Sequence, residues 1–138
     1  MILADTGALY ALVARKDKNH KAAAGWYRSV AGKKQLVLTQ PLLTETWLLI
    51  SARLGSYYAD SFWESVTVGV FGVIELDPAD LQAALKIEKK YEDANLGFVD
   101  ATSLAACERY RIRKVFTFDS HFGIYKPSFT SHLELVPQ

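Results

Sequence analysis

The chain has 138 residues, half of them hydrophobic, and a formal net charge of +1 from 16 basic and 15 acidic side chains. This length and apolar content predict one domain over residues 1–138, and the balanced charge argues neither for nor against nucleic acid as a partner. A lone cysteine, Cys107, excludes a disulfide within the chain and argues against a thiolate zinc site, and the lack of a signal peptide or a membrane-length apolar stretch predicts a cytoplasmic protein with no membrane partner.

Strands and helices alternate along the chain. An apolar strand over residues 1–4 precedes a helix over 7–14, and Asp17 is a good N-cap for a second helix that ends near residue 30. The remaining predicted strands cover residues 36–39, 73–76, 115–118 and 133–136. The remaining predicted helices cover residues 41–55, 58–68, 78–91 and 98–110. Short apolar strands separated by helices predict a parallel sheet with helices on both faces, a three-layer α/β/α sandwich.

Four carboxylates lie at positions where an apolar surface disfavours them. Asp5 directly follows the first strand, and Asp119 directly follows the fourth predicted strand. Glu45 lies within the apolar run of the third helix, and Asp100 opens the last predicted helix. An ionised carboxylate on an apolar surface is costly unless it is paired or bound to a metal, so these positions need an explanation.

The predicted fold brings these carboxylates to a common location. In an open parallel sheet, ligands bind outside the carboxyl ends of the strands, and two of the four carboxylates stand at such ends. Asp100 shares its helix face with apolar Leu104 and Cys107 and is therefore expected to point to the edge of the core. By the same spacing, Glu45 shares a face with four apolar residues, Leu42, Leu48, Leu49 and Ala52. We therefore expect one acidic pocket.

Each carboxylate also has an ordinary structural explanation. Asp5 and Asp100 are suitable caps for the helices that follow them, and a cap contributes about 1 kcal/mol. Asp119 suits a turn, and Glu45 near a helix start would interact favourably with the helix dipole. Such explanations account for any one residue, whereas a shared site accounts for all four.

A metal ion would resolve the crowding of negative charge in such a pocket. Four carboxylates within a few ångströms of one another could not all stay ionised unaided, because like charges raise the pKa of their neighbours. The hard cations Mg²⁺ and Mn²⁺ prefer oxygen ligands and relieve this repulsion. A carboxylate-bound metal pair can activate water and stabilise an in-line displacement at a phosphodiester, so the pattern indicates hydrolysis of this bond.

Four short stretches, in a specific order and spacing, carry a resemblance to a known family. They cover residues 3–9 (LADTGAL), 44–46 (TET), 98–101 (FVDA) and 116–122 (FTFDSHF). In these stretches the chain resembles a PIN domain, the ribonuclease fold of VapC-type toxins from bacterial and archaeal toxin–antitoxin pairs. The resemblance covers nearly the whole chain. It implies a parallel sheet of strand order 3-2-1-4-5 and a metal-dependent endoribonuclease that is the toxin of a type II toxin–antitoxin system.

The resemblance also implies a site and partners. The implied residues are four catalytic, metal-binding carboxylates and two supporting hydroxyls: Asp5, Glu45, Asp100, Asp119, Thr6 and Thr117. Gly7 departs from the family, in which many relatives carry serine, and this departure concerns a supporting hydroxyl and not the metal site. The implied cofactor is Mg²⁺ or Mn²⁺. The implied partners are an RNA substrate, an antitoxin that covers the active site, and a second copy of the chain in a homodimer.

Three other interpretations fit parts of the chain. The tetrapeptide at residues 5–8 (DTGA) matches an aspartic protease signature, but such enzymes need two such aspartates and an all-β fold. A phosphoacceptor receiver domain is similar in size but needs an adjacent acidic pair after its first strand and a lysine after its last, and the chain has neither. A catalytically silent PIN-fold protein that binds RNA or assists assembly is the stronger rival, and the four intact carboxylates argue against it.

Basic, aromatic and histidine residues add further expectations. Arg15, Lys16 and Lys18 could steer RNA phosphates in a salt-sensitive way. His20 and His121 are expected to be local structural or surface groups, although His121 is near enough to the site to touch substrate. Core packing is expected for most of the aromatic residues on the third and fourth helices, and a partner surface for some. These aromatic residues are Trp47, Tyr57, Tyr58, Phe62 and Trp63.

Overall fold

The structure is a computed structural model that describes residues 1–138. Its strands are β1 (Ile2–Ala4), β2 (Leu36–Thr39), β3 (Gly72–Ile74), β4 (Lys114–Phe116) and β5 (Glu134–Val136). Its α-helices are α1 (Thr6–Val13), α2 (His20–Val30), α3 (Gln40–Leu54), α4 (Ser56–Thr67), α5 (Pro78–Lys90) and α6 (Gly97–Tyr110). Two short 3₁₀ helices, Glu92–Ala94 and Ser120–Gly123, follow α5 and β4. None of the helices combines the length and the apolar character needed to cross a membrane.

The five strands form one parallel sheet in the order β3-β2-β1-β4-β5. β1 is central, since Leu3 pairs with Val37 of β2 on one side and with Val115 of β4 on the other. Every residue of β1 and β2 is buried, as expected for strands covered by helices on both faces. The predicted three-layer α/β/α fold and the strand order 3-2-1-4-5 are confirmed, and the all-β fold of an aspartic protease is excluded.

Two strands end earlier than predicted, for reasons that lie in their neighbours. β4 ends at Phe116 because the Thr117 hydroxyl accepts a hydrogen bond from the Asp119 N–H and turns the chain out of the sheet. β3 ends at Ile74 because its pairing residue, Thr39, is the last residue of β2. Asp119 therefore follows its strand by a short turn and not directly.

The predicted cap of the second helix is wrong by two residues. α2 begins at His20 after Asn19, whose side chain makes no capping hydrogen bond. Asp17 instead accepts a 3.0 Å hydrogen bond from the Asn19 N–H and forms a turn ahead of the helix. The His20 ring bonds to the Ala11 carbonyl at 2.7 Å, which ties this turn to α1 and gives His20 the local structural role expected of it.

Helix α6 is buried over seven consecutive residues, 101–107. It packs against α5, α3 and β2, and its buried Thr102 and Ser103 hydroxyls are satisfied because they donate to carbonyls in the first turn of the same helix. A 2.7 Å ion pair between Arg109 and the buried Asp80 ties its far end to α5. Burial raises the pKa of the Cys107 thiol to about 12, so Cys107 is a core residue and not a nucleophile. The buried middle of α6 anchors the helix in the core, and its less buried first turn carries Asp100.

The aromatic residues of α3 and α4 are more exposed than the sequence predicts. Phe62 is buried and Trp47 is half-buried, but Tyr57, Tyr58 and Trp63 are exposed. The cause is that α4 buries only one narrow face, so its remaining side chains project into solvent. Core packing is therefore wrong for three of these five residues.

Candidate active site

Asp5 lies at the junction between β1 and α1. It is 8% exposed and caps α1, with Oδ1 accepting a 2.8 Å hydrogen bond from the Thr6 N–H. Its other oxygen, Oδ2, accepts a 2.9 Å hydrogen bond from the Thr117 hydroxyl. Burial raises the pKa of Asp5 to about 6, repulsion by Asp119 and Glu45 adds to the rise, and the two hydrogen bonds oppose it. Asp5 is therefore a helix cap whose ionised form is destabilised by burial and by the neighbouring carboxylates.

Asp119 is held in place by the same threonine. While donating to Asp5, the Thr117 hydroxyl accepts a 2.9 Å hydrogen bond from the Asp119 N–H, so one side chain links the two segments. Asp119 Oδ1 accepts a 2.9 Å hydrogen bond from the His121 N–H and lies 2.6 Å from His121 Nδ1. The exposed His121 therefore contacts a carboxylate of the site directly.

Asp100 lies in the first turn of α6 and is about half-buried. Burial raises the pKa of Asp100 to about 6, repulsion by the other three carboxylates adds to the rise, and attraction to His121 opposes it. The four carboxylates therefore lie near enough for the charges of three to raise the pKa of the fourth.

Glu45 lies in α3, whose first turn is capped by Thr39 through a 3.3 Å bond from the Leu42 N–H. The face around Glu45 is not the buried apolar face that the sequence predicts, because Leu48 is 57% exposed and Ala52 is also exposed. Glu45 is itself exposed. The argument that burial makes Glu45 costly is therefore wrong, and its proximity to the other carboxylates comes from where α3 packs.

One cavity of about 550 Å³ is lined by all four predicted carboxylates, Asp5, Glu45, Asp100 and Asp119. They come from four places in the fold: the β1–α1 junction, α3, α6 and the turn after β4. Thr6 also lines the cavity, whereas Thr117 lies behind Asp5 and acts on it through its hydroxyl. The convergence expected from the strand ends is what the structure shows.

Sequence reasoning missed several residues at this cavity. Asp17 and Arg53 line it, and the fully buried Thr46 donates a 3.2 Å hydrogen bond to the Thr6 hydroxyl. Arg53 follows Glu45 by two helical turns, a spacing that places both side chains on one side of α3 and could have revealed it. The position of Asp17 depends on the turn before α2, for which the sequence carries no such signal.

Comparison with known proteins bears on this site. The family model of the PIN domain matches residues 2–126. The chain belongs to the PIN domain family. Two curated relatives of this PIN domain come from Mycobacterium tuberculosis. "Ribonuclease VapC26" is 26% identical over 137 residues, 99% of this chain and 100% of the relative. "23S rRNA-specific endonuclease VapC20" is 31% identical over 125 residues, 89% of this chain and 92% of the relative.

Solved structures share the fold of this PIN domain. The crystal structure of VapC20 from Mycobacterium tuberculosis, described as a Sarcin-Ricin loop cleaving toxin, aligns with a TM-score of 0.80 at 24% identity, over 87% of this chain and 91% of that one. VapBC2 from Rickettsia felis, bound to a DNA fragment from its promoter, aligns with a TM-score of 0.69 at 12% identity, over 98% and 97% of the two chains. These likenesses support the fold of the PIN domain described above.

The donor atoms at the cavity of this PIN domain suit a hard divalent cation. The cavity offers carboxylate and hydroxyl oxygens and no cysteine sulfur, which is the ligand set that Mg²⁺ and Mn²⁺ prefer. The raised pKa values of Asp5 and Asp100 reflect an electrostatic cost that a bound cation would remove. In the arrangement described, no three Asp, Glu, His or Cys side chains are close enough together to hold one ion. Mg²⁺ commonly binds through one or two carboxylates and keeps several waters, so the donor set at this cavity still suits such an ion.

Proposed function

We propose that this PIN domain, residues 1–138, is a metal-dependent endoribonuclease that hydrolyses RNA phosphodiester bonds. The observation that carries the proposal is the meeting of four carboxylates from four separate elements at one cavity, Asp5, Glu45, Asp100 and Asp119. The relatives support it, because both are named as RNA-cleaving enzymes and span nearly the whole chain.

The four carboxylates would hold Mg²⁺ or Mn²⁺, and each would have a different role. Asp5 and Asp119 would anchor the main ion, since Thr117 ties them together. Asp100 would complete the site, and Glu45 would hold a second ion or orient the attacking water. When bound, the metal would supply an activated water and neutralise charge on the phosphoryl oxygens. Thr6 and Thr117 would support the site through their hydroxyls.

The substrate we propose is single-stranded or loop RNA. Splayed backbones enter an open cavity more easily than paired ones, and this cavity is open to solvent on the side of Glu45. The relative named a 23S rRNA-specific endonuclease and the structure described as a Sarcin-Ricin loop cleaving toxin favour a structured RNA loop as the target. A ribosomal RNA substrate would place the protein in the cytoplasm.

We further propose that the protein is the toxin of a type II toxin–antitoxin pair and acts as a homodimer. The VapC names of its relatives and the solved VapBC2 structure support an antitoxin partner. Exposed aromatic and apolar side chains on α3 and α4 offer a surface for association, since such residues are enriched in interfaces. A small open reading frame directly upstream of the gene would support the pairing.

Cleavage by the purified protein tests the proposal. Asp5→Asn should lower the rate at least about 100-fold, because it removes a charge that the metal needs. Asp93→Asn is the matched control, since Asp93 is exposed and lies outside the cavity. EDTA should abolish cleavage, and Mg²⁺ or Mn²⁺ should restore it. Equal activity of Asp5→Asn and wild type would end the site assignment, and activity that survives chelation would end the metal dependence.

A catalytically silent RNA-binding protein is the alternative that this experiment also decides. Such a protein would bind RNA and leave it intact in the presence of either metal. Sequencing the ends of cellular RNA after induction of wild type and of Asp5→Asn would then show no difference between the two. Cuts that appear with wild type alone would identify the target and its cleavage position.

A further inference from the structure

A second groove adjoins the acidic cavity, with Arg53 between the two. The groove has a volume of about 550 Å³ and lies between the end of α1, the turn before α2 and the α3–α4 junction. Tyr10, Asp17 and Arg53 line both the acidic cavity and this groove. The two spaces therefore adjoin each other, and a strand that extends beyond the cavity on this side would meet the groove.

The groove carries an excess of positive charge. Arg15, Lys16 and Arg53 line it, against one carboxylate, Asp17. The Asp17 carboxylate is engaged with the Asn19 N–H at 3.0 Å, and none of the three cations forms an ion pair with an acidic side chain. Their charges are therefore available to an external anion.

The positive charge of Arg53 is oriented by its neighbour. The Arg53 guanidinium lies 5.3 Å from the centre of the Tyr10 ring, a cation–π contact that limits where the guanidinium can point. A guanidinium presents a planar fork of N–H donors that suits phosphate oxygens. Arg53 thus lies where the acidic cavity and the groove adjoin and forms no ion pair with an acidic side chain.

The groove also offers an aromatic surface. Tyr58 lines it and is 48% exposed, and its ring is packed at 89° against the ring of Tyr57 with centroids 5.4 Å apart. Cations that track a phosphate backbone beside a ring that stacks a base are the usual elements of single-strand binding. An acidic cavity alone repels a polyanion, so a basic groove at its edge gives the strand a favourable approach.

We propose that this groove binds the RNA strand on one side of the scissile phosphate, with Arg53 contacting a backbone phosphate beside the cavity and Tyr58 stacking a base. The proposal rests on the ribonuclease function proposed above, since it takes the ligand to be RNA. It assigns Arg53 and Tyr58 as substrate-positioning residues, and Arg15 and Lys16 as contributors of charge.

Binding without cleavage tests this assignment. The probe is a short fluorescent single-stranded RNA, titrated by polarisation with protein that carries Asp5→Asn, at about 50 to 200 mM salt. Arg53→Gln should weaken binding about 5- to 10-fold and lower the slope of log affinity against log salt by about 0.7, the value for one phosphate contact on a single strand. Arg28→Gln is the matched control, because Arg28 is an exposed arginine on α2 outside both cavities.

The aromatic contact has its own signature and control. Tyr58→Leu should weaken binding about 5-fold or more with the salt slope unchanged, because stacking is not ionic. Tyr110→Leu is the control, since Tyr110 is also exposed but lines neither the acidic cavity nor the groove. A salt slope that falls in Tyr58→Leu as it does in Arg53→Gln would contradict the separate roles.

The outcomes separate this proposal from the proposed function. If wild type cleaves RNA and the Arg53→Gln and Tyr58→Leu proteins bind it as their controls do, the groove assignment fails and the ribonuclease stands. If wild type neither binds nor cleaves RNA, both fail. If the two variants bind RNA normally but no longer co-purify with the product of an upstream open reading frame, the groove takes a protein partner and the RNA assignment is overturned.

Discussion

The Thr117 hydroxyl donates a 2.9 Å hydrogen bond to Oδ2 of Asp5. The Thr117 hydroxyl oxygen in turn accepts a 2.9 Å hydrogen bond from the Asp119 N–H, so one buried hydroxyl links the Asp5 carboxylate to the backbone of Asp119. Partners of this kind orient metal-binding side chains and are nearly as important as the ligands themselves.

Replacing Thr117 by valine removes this link and keeps the side-chain volume. We expect Thr117→Val to lower metal-dependent cleavage and affinity for Mn²⁺ about 10- to 100-fold. Stability should fall by about 1–2 kcal/mol, because the Asp119 N–H loses its partner. Cleavage assays, calorimetric Mn²⁺ titration and urea unfolding measure the three effects. Thr117→Ser keeps the hydroxyl and should retain activity; a valine variant with wild-type metal affinity would contradict the link.

Neutralising Asp100 should stabilise the metal-free protein. Burial and the neighbouring carboxylates raise the pKa of Asp100 from 3.8 to about 6, so its ionised form destabilises the fold. The penalty is absent below about pH 4, grows as pH rises through 6 and is complete above it. Asp100 is partly exposed, so solvent screens part of this penalty. Asp100→Asn should therefore raise the free energy of unfolding by about 1 kcal/mol at pH 7, or the Tm by about 3 °C.

Thermal unfolding in EDTA at pH 4 and pH 7 checks this sign. The difference between Asp100→Asn and wild type should be present at pH 7 and much smaller at pH 4, because the penalty grows between the unfolded pKa and the folded one. Excess Mg²⁺ should raise the Tm of wild type more than that of the variant, because only wild type keeps the full set of carboxylates. A variant that is less stable than wild type at pH 7 in EDTA would contradict the claim that ionised Asp100 destabilises the metal-free protein.

Glu108 anchors the C-terminal segment to α6. It accepts hydrogen bonds from the Tyr125 hydroxyl at 2.6 Å, the Ser128 N–H at 2.8 Å and the Ser128 hydroxyl at 2.5 Å. Burial disfavours the charged form of Glu108, but the stabilisation by these hydrogen bonds is larger and holds the pKa of Glu108 below its ordinary value. The stabilisation is therefore present at neutral pH and is lost as pH falls through that lowered pKa.

We expect Glu108→Ala to cost about 2 kcal/mol at pH 7, since it leaves the Tyr125 hydroxyl and the Ser128 N–H without partners. Urea unfolding at pH 7 and near pH 3.5 measures the loss, which should shrink at the lower pH. Glu92→Ala is the control, because Glu92 is exposed and its side chain forms no hydrogen bond. An equal loss at both pH values would show that packing, and not the charge of Glu108, holds the segment.

The exposed Trp63 provides a test of the proposed homodimer. Trp63 and Leu48 are 54% and 57% exposed and line one apolar groove of about 540 Å³ together with Trp47. We expect Trp63→Arg to shift the protein toward monomer by at least about 10-fold in dimer affinity, because buried aromatic anchors dominate such interfaces. Sedimentation at several concentrations measures this. Val68→Arg is the control, because Val68 lies at the end of α4 outside the groove and its replacement should not change dimer affinity. A wild-type protein that stays monomeric at all concentrations would contradict the homodimer.

Most of the fold follows from local pattern. Apolar runs such as residues 36–39 and the Asp77-Pro78 cap of α5 placed the elements within about two residues, because burial and capping are encoded nearby. The strand ends were misplaced where contacts with a neighbouring strand or segment determine where the strand stops. β3 stops at Ile74 because β2 stops at Thr39, and the Thr117 hydroxyl that turns the chain after β4 also donates to the distant Asp5.

The sequence by itself determined the family and the strand order that it implies, and it predicted which four carboxylates would meet, because their order and spacing can be read along the chain. Only the tertiary structure decided how they are held. Glu45 is exposed at the cavity, Thr117 lies behind Asp5, and Arg53 lines both the acidic cavity and the adjoining basic groove. These relations depend on how elements distant in sequence pack against one another, and no local pattern carries that information.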